Sequence, residues 1–191
     1  MGAQLGGTDA STVVNSILGA YGLPGIKSAK GLKAFDDFEE EYTFSYPRAW
    51  VARPNTLRGG ITMSNFQTGD RASVEVVEGV PRDASDDVLI ARAVRALITP
   101  DGSNKTSNLV PPAPEKIKSE TLDLDGTHYV YMAFPSELVT SSGYNVRRKN
   151  LAVAAVKRGR LYVLGVAIRS DQFDKDKAAM CQAMMESFRL R

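Results

Sequence analysis

The stretch that decides the fold of this chain is Tyr42–Trp50, which reads YTFSYPRAW. Its aromatic residues Tyr42, Phe44 and Tyr46 alternate with small polar residues, the period-2 pattern of a β-strand with one buried face. Pro47 cannot donate a hydrogen bond to a sheet, so the strand is predicted to end there and the chain to turn. Trp50 follows shortly afterwards, close enough to fold back over the end of the strand. The stretch therefore predicts a corner that builds the hydrophobic core.

Residues 1–41, before and up to this strand, differ in composition from the rest of the chain. They begin rich in glycine, and apolar residues then recur at helical spacing, which predicts a short amphipathic segment. These apolar residues are Val13, Val14, Ile17, Leu18 and Tyr21. A sparse basic stretch then gives way to the acidic run Asp36–Glu41. We interpret 1–41 as an N-terminal arm or linker, with docking to a partner as a hypothesis, and 42–191 as the folded domain.

Turns that contain glycine separate apolar segments of this domain and predict antiparallel hairpins. The paired segments are 61–66 with 72–77, 116–124 with 127–134, and 145–156 with 161–168. The turn Asp125–Gly126 is the strongest short hairpin signal in the chain. Residues 151–156 and 161–168 are almost continuously apolar, so both faces of this sheet are predicted to be covered.

Amphipathic helices are predicted to supply the two covering layers. The first, 85–98, has Ser85 as its N-cap and acidic residues in its first turn, where the helix dipole favours negative charge. The second, 171–188, is predicted to begin at a Ser170 cap and to present Phe173, Met180, Met184 and Phe188 on one face. The fold class that follows is α+β, an antiparallel β-sheet sandwiched between helices in an α/β/α sandwich.

The composition excludes several classes of protein. The chain has 191 residues, is 43% hydrophobic and carries a formal net charge of only +2, without the concentrated basic face of a nucleic-acid-binding protein. A single cysteine, Cys181, and a single histidine exclude an internal disulfide and zinc sites built from several such ligands. No run reaches the roughly 18–20 apolar residues of a membrane span. Residues 1–10 have neither the basic start nor the apolar centre of a signal peptide.

No motif predicts catalysis or a resident cofactor. The chain lacks the nucleophile elbow, the Walker loop, the metalloprotease helix and the dinucleotide-binding glycines. The one histidine, His128, follows a turn glycine inside an aromatic strand, so it is predicted to lie at the sheet margin; a Ser/His/Asp site built on it is the alternative. The segment from Asp123 does not fit an EF-hand loop, whose glycine and final glutamate stand at other positions. A weak surface calcium site using Asp123, Asp125 or the run Asp36–Glu41 is a further alternative.

Basic residues offer the remaining candidate site. Arg147, Arg148 and Lys149 form one group, and a second group, Lys157–Arg160, lies at the opposite end of the same predicted strand. Ordinary solvated charge is one interpretation of such groups. The other is binding to a partner, and for that role we select Arg147, Arg148 and Lys149.

Several of these segments together resemble the PsbP-domain family. The order Tyr-x-Phe-x-Tyr-Pro-x-x-Trp at 42–50 is similar to the family's opening strand. Further segments, in the same order and at similar spacing, are Asp125–Tyr129, Asn150–Val153, Arg158–Leu164 and Glu186–Leu190. The first of these is similar to the family's Asp-Gly-x-x-Tyr hairpin. Arg158–Leu164 is similar to its Gly-x-Leu-Tyr strand, and Glu186–Leu190 is similar to the Ser-Phe ending of its last helix. The resemblance covers about Tyr42 to Arg191.

The resemblance implies a non-enzymatic, extrinsic protein of the chloroplast thylakoid lumen, peripheral to a photosynthetic membrane complex and not integral to the membrane. The best-known member helps photosystem II, the oxygen-evolving complex, retain calcium and chloride. Many relatives act instead in assembly or repair of photosystems or of the associated dehydrogenase, and this chain looks nearer to them because 1–41 does not match the arm of the photosystem II subunit. The fold also resembles the Mog1 family of Ran-GTPase-binding proteins, so a GTPase-binding role is an alternative. No metal-binding residue of the family is carried over.

Overall fold

The structure is a computed structural model that describes residues 10, 13, 14, 16, 17, 31–56, 58–99, 109–140 and 142–191. Its strands in chain order are β1 Leu32–Asp37, β2 Tyr42–Pro47, β3 Val51–Pro54, β4 Gly60–Ser64, β5 Arg71–Val77, β6 Leu109–Val110, β7 Lys118–Leu124, β8 Thr127–Val139, β9 Asn145–Lys157, β10 Arg160–Arg169 and β11 Arg189–Leu190. Two longer helices lie among the described residues, α1 Asp86–Ile98 and α2 Lys175–Ser187.

The predicted corner at Tyr42–Trp50 is confirmed. Along β2 the side chains of Tyr42, Phe44 and Tyr46 are buried and the residues between them are only partly covered, as the alternation predicts. The Trp50 backbone amide donates a hydrogen bond to the Pro47 carbonyl across 3.0 Å, which closes the turn. Trp50 is 5% exposed and joins the same apolar cluster as the β2 aromatics, so the corner is part of the core.

The large sheet is built from the predicted antiparallel hairpins. The described strands follow the order β3-β4-β5-β10-β9-β8-β6, and β7 pairs with β8. The turn between β7 and β8 has positive φ at both Asp125 and Gly126, 50° and 79°, which matches the twist of a tight hairpin. The strands β9 and β10, which are apolar on both faces, lie in the middle of this order, as their composition predicts.

The two faces of the large sheet are covered differently. Helix α1 lies on one face, and its N-cap is Ser85, as predicted. On the other face α2 packs together with a small antiparallel sheet in the order β1-β2-β11. The α+β sandwich is thus confirmed, although the sequence did not predict the second sheet. The prediction that Ser170 caps the last helix is wrong, because Ser170 begins a short 3₁₀ turn. The cap of α2 is Asp174, whose side chain accepts a hydrogen bond from the Lys177 amide.

The structure places part of the predicted arm 1–41 in the core. Strand β1 pairs with β2 along its whole length, from Leu32 opposite Pro47 to Asp37 opposite Tyr42. The described helical residues before it, Ala10, Val13, Val14 and Ile17, are buried in the same apolar cluster as β2. These apolar groups and β1 therefore pack with the strands of the domain, although they precede the boundary predicted at residue 42. Leu18, Tyr21 and the predicted end of the helical segment lie outside the described residues.

The last two residues of the acidic run, Glu40 and Glu41, form ion pairs with the second basic group. The carboxylate of Glu41 contacts the Lys157 ammonium at 3.1 Å and the Arg158 guanidinium at 3.2 Å, and Glu40 contacts Arg160 at 2.5 Å. The hydrogen bond from Lys157, helped by the charge of Arg158, holds the pKa of Glu41 below its usual range. These ion pairs join the β1–β2 turn to the β9–β10 turn, so the small sheet is tied to the large one.

Candidate functional site

A groove lies on the face of the large sheet that α1 leaves uncovered beyond its last turn. One part has a volume of about 480 Å³ and lies beside Leu97 and Ile98, over β5, β10, β9 and β8. A second part of about 320 Å³ continues over β3 and β4 and shares Ser64, Phe66 and Arg71 with the first. We call the two parts together the groove.

The pairing register brings three arginines from separate strands to this groove. Arg71 on β5 lies opposite Ser64 on β4 and opposite Ala167 on β10. Arg53 on β3 and Arg148 on β9 stand at positions of the same face, because side chains on a strand alternate between faces with period 2. All three arginines line the groove.

Arg148 is one of the two partly buried arginines of the groove. Its guanidinium donates a hydrogen bond to the Gly69 carbonyl across 3.1 Å. Burial lowers the pKa of Arg148, and the charge of nearby Asp70 opposes that effect. An arginine remains protonated in proteins, so this position keeps its positive charge.

Asp70 is the acidic residue of this wall. It is 2% exposed, and one carboxylate oxygen, Oδ2, contacts the Lys177 ammonium at 2.7 Å. The ion pair links the β4–β5 turn to α2. Three arginines and this one carboxylate line the groove, so positive charge is in excess there.

Exposed apolar side chains line the same groove. Phe66 is 68% exposed, Val51 45% and Leu138 37%. The guanidinium of Arg53 lies 5.4 Å from the centre of the Phe66 ring. Cationic and apolar groups in one concavity fit a ligand that is both anionic and apolar.

The predicted basic group Arg147–Lys149 does not form one patch. Because β9 alternates, Arg147 and Lys149 lie on the face opposite Arg148. There Arg147 contacts Glu137 at 3.6 Å, and the Lys149 ammonium lies 5.2 Å from the centre of the Phe173 ring. Of the three residues only Arg148 reaches the groove. Sequence reasoning missed Arg53, Arg71 and Phe66, because their meeting depends on the order and register of the strands in the sheet.

His128 lies where β7, β8 and α1 meet, and both of its ring nitrogens contact carboxylates. Nδ1 lies 2.6 Å from Asp123 Oδ1, and Nε2 lies 2.9 Å from Asp86 Oδ1. A neutral imidazole has one acceptor nitrogen, which a carboxylate would repel, so the arrangement favours the protonated ring. The hydrogen bond with Asp123 raises the pKa of His128 most; burial lowers it, and Asp86 raises it further. His128 therefore fastens the β7–β8 hairpin to the first turn of α1.

This contact predicts a pH-dependent stability. A histidine pKa raised above its unfolded value of about 6.5 contributes stability that is complete below that value and is lost as pH rises through the folded pKa. Replacing His128 with glutamine should therefore lower the melting temperature most in mildly acidic buffer, and the difference from the unsubstituted chain should shrink as pH rises. Melting curves of both proteins across this pH range check the prediction.

The single histidine also allows a direct titration by NMR, because no other imidazole resonance is present. We expect a pKa above the ordinary value, and Asp123→Asn should lower it. Asp125→Asn is the matched control, since Asp125 lies in the same turn and tolerates asparagine at its positive φ. A pKa at or below the ordinary value would contradict the contact.

Four of the carboxylates considered for calcium contact basic side chains. Asp123 contacts His128, Asp36 contacts Arg191, and Glu40 and Glu41 contact the β9–β10 turn. Within the part of the chain that the structure describes, no group of three or more histidine, cysteine or acidic residues is arranged to hold a metal ion. Over the same residues, no helix has the length and apolar character needed to cross a membrane.

Comparisons with known proteins identify the family. The PsbP family model matches residues 30–190, which is most of the chain and includes β1 to β11. The chain belongs to the PsbP family. The match begins at residue 30, two residues before β1.

Relatives of this PsbP-family chain include a curated protein and solved structures. CyanoP of Thermosynechococcus vestitus is 26% identical over 164 residues, which cover 80% of this chain and 83% of that protein. The solution structure of CyanoP from Synechocystis sp. PCC 6803 has a TM-score of 0.59 at 18% identity, over 86% of this chain and 95% of that one, and shows the shared fold. The Ran-binding protein Mog1p of Saccharomyces cerevisiae has a TM-score of 0.49 at 12% identity, over 85% of this chain and 96% of that one.

Proposed function

We propose that the chain is a PsbP-type accessory protein that associates with photosystem II on the lumenal side of the thylakoid membrane. The observation that carries the proposal is the match of the PsbP family model to residues 30–190. The similarity to CyanoP over 80% of the chain supports the same role. The chain binds at the surface of the complex and is not an integral component of the membrane.

The proposed role is binding and not catalysis. The groove presents arginines and apolar side chains, a combination suited to recognising a ligand. The ring nitrogens of His128 both contact carboxylates, so the ring is placed to join two elements and not to activate a hydroxyl group. A non-enzymatic role agrees with what the PsbP resemblance implies.

The proposed compartment is the thylakoid lumen. Four further points stay predictions from the sequence: the location in a chloroplast, a role in assembly or repair, calcium binding, and the alternative of GTPase binding. Association with a complex through exposed charge is weakened by salt, because ions screen contacts between solvent-exposed groups.

Affinity purification tests the association. A tagged copy of the full chain, produced in the photosynthetic host, should enrich photosystem II subunits from gently solubilised thylakoids, and a high-salt wash should release them. A tagged lumenal protein of similar size and unrelated fold is the control. Enrichment of photosystem II subunits no greater than in that control would overturn the proposed function.

A further inference from the structure

We propose that the groove binds an extended, acidic segment of a partner protein whose apolar side chains alternate with its carboxylates. The inference rests on the proposed function only for the identity of the complex that carries the segment. The chemistry of the segment follows from the groove itself.

The charge of the groove favours carboxylates. Arg53, Arg71 and Arg148 lie along it on three different strands. The acidic residue in its wall, Asp70, already contacts Lys177. Guanidinium groups present paired donors that match the two oxygens of a carboxylate, and this geometry is more specific than a diffuse positive potential.

The length of the groove favours an extended chain over a small anion. It crosses from β3 through β4, β5, β10 and β9 to β8. Neighbouring strands are about 4.8 Å apart, so these five intervals span roughly 24 Å. An extended peptide advances about 3.3 Å per residue, so roughly seven residues would reach from Arg53 to the β8 wall.

Apolar contacts select among acidic segments. Phe66, Val51 and Leu138 are exposed within the groove, where an apolar side chain of the segment would remove them from water. In an extended peptide successive side chains point to opposite sides, so carboxylates and apolar groups at alternate positions would each have a consistent surface to contact.

The shape of the groove favours a peptide over a membrane surface. Arg148 is partly buried and its guanidinium is oriented toward the Gly69 carbonyl at the base of the β4–β5 turn. A flat layer of lipid headgroups contacts protruding side chains first, whereas a single extended chain enters a concavity. Anionic lipid is therefore the outcome that the experiment must distinguish.

Fluorescence anisotropy with the purified full chain tests the inference. The probe is the labelled peptide Glu-Leu-Asp-Phe-Glu-Leu-Asp, and the comparison peptide carries Gln and Asn in place of the acidic residues. We expect the acidic probe to bind, the amide peptide to bind at least about tenfold more weakly, and binding of the probe to fall as salt is added. Absence of binding by the acidic probe, or equal binding by the amide peptide, would overturn the inference.

Charge reversal locates the site. Arg148→Glu should weaken binding of the probe about tenfold or more, and Arg147→Glu, on the opposite face of the same strand, should change it less than about twofold. Arg53→Glu, on the edge strand β3, gives a second test should Arg148→Glu alter the melting curve. Equal losses in Arg147→Glu and in the groove variants would show that only net charge matters and would overturn the site.

Vesicles that contain phosphatidylglycerol are the competing ligand. Binding of vesicles that depends on Arg148, together with no binding of the acidic probe, would replace the peptide by a lipid surface. The anisotropy assay contains no photosystem, so absence of peptide binding would not contradict the proposed association with photosystem II. Conversely, failure of the purification would leave a peptide-binding groove whose partner lies elsewhere.

Discussion

Replacing Trp50 with alanine is expected to lower the free energy of unfolding by about 3–5 kcal/mol. The side chain is 5% exposed and packs in the apolar cluster that joins β2, the large sheet and α2. Truncation would remove the transfer free energy of a large aromatic group and leave a cavity that the surrounding strands cannot fill completely. The corner after Pro47 would then lose the group that holds it against the core.

Denaturant and thermal unfolding measure this effect. For a domain of this size each kcal/mol corresponds to about 2–4 °C, so the melting temperature should fall by roughly 6–20 °C. Val51→Ala is the matched control, because Val51 is the next residue and is 45% exposed. It should change stability by about 0.5 kcal/mol or less. A shift of only a degree or two for Trp50→Ala would show that the corner is not part of the core.

Replacing Ile17 with alanine is expected to cost about 2–5 kcal/mol. Ile17 belongs to the segment that sequence alone predicts as an arm, yet its side chain is fully buried in the core cluster. The loss would arise from the same transfer and cavity contributions as in any other buried aliphatic residue. An arm that only links or docks would show no such effect.

The neighbouring residue supplies the control for this experiment. Ser16 is exposed and makes a long hydrogen bond of 3.4 Å to Glu120, so Ser16→Ala should leave the denaturant midpoint nearly unchanged. If Ile17→Ala were as stable as the unsubstituted chain, the prediction would be contradicted, and the residues before β1 would act as a linker. Deletion of 1–35 is expected to destabilise the domain, because it removes the buried residues and most of β1.

Local patterns explain why the strands and hairpins could be predicted. Alternation in Tyr42–Pro47 depends only on the two-residue period of a strand, and the Asp125–Gly126 turn depends only on residues that tolerate positive φ. Continuous apolar runs in β9 and β10 required burial on both faces. The cap of α2 was misplaced because Ser170 and Asp174 are both acceptable N-caps, and only the course of the chain after β10 selects between them.

The candidate site needed information that no local pattern contains. Arg53, Arg71 and Arg148 are far apart along the chain, and their meeting depends on the order of β3, β5 and β9 in the sheet. The basic run Arg147–Lys149 looked continuous along the chain, but strand alternation divides it between two faces.

The sequence by itself determined the α+β class, the three hairpins of the large sheet, and the core role of Tyr42–Trp50, because these follow from periodicity and backbone preferences over a few residues. Only the tertiary structure decided that β11, at the end of the chain, pairs with β2, near its start. It also decided that Ile17 is buried and that the groove lies beside the last turn of α1. Such features depend on which surfaces cover one another, and burial of apolar area is non-directional, so the sequence pattern indicates that a face must be covered without indicating what covers it.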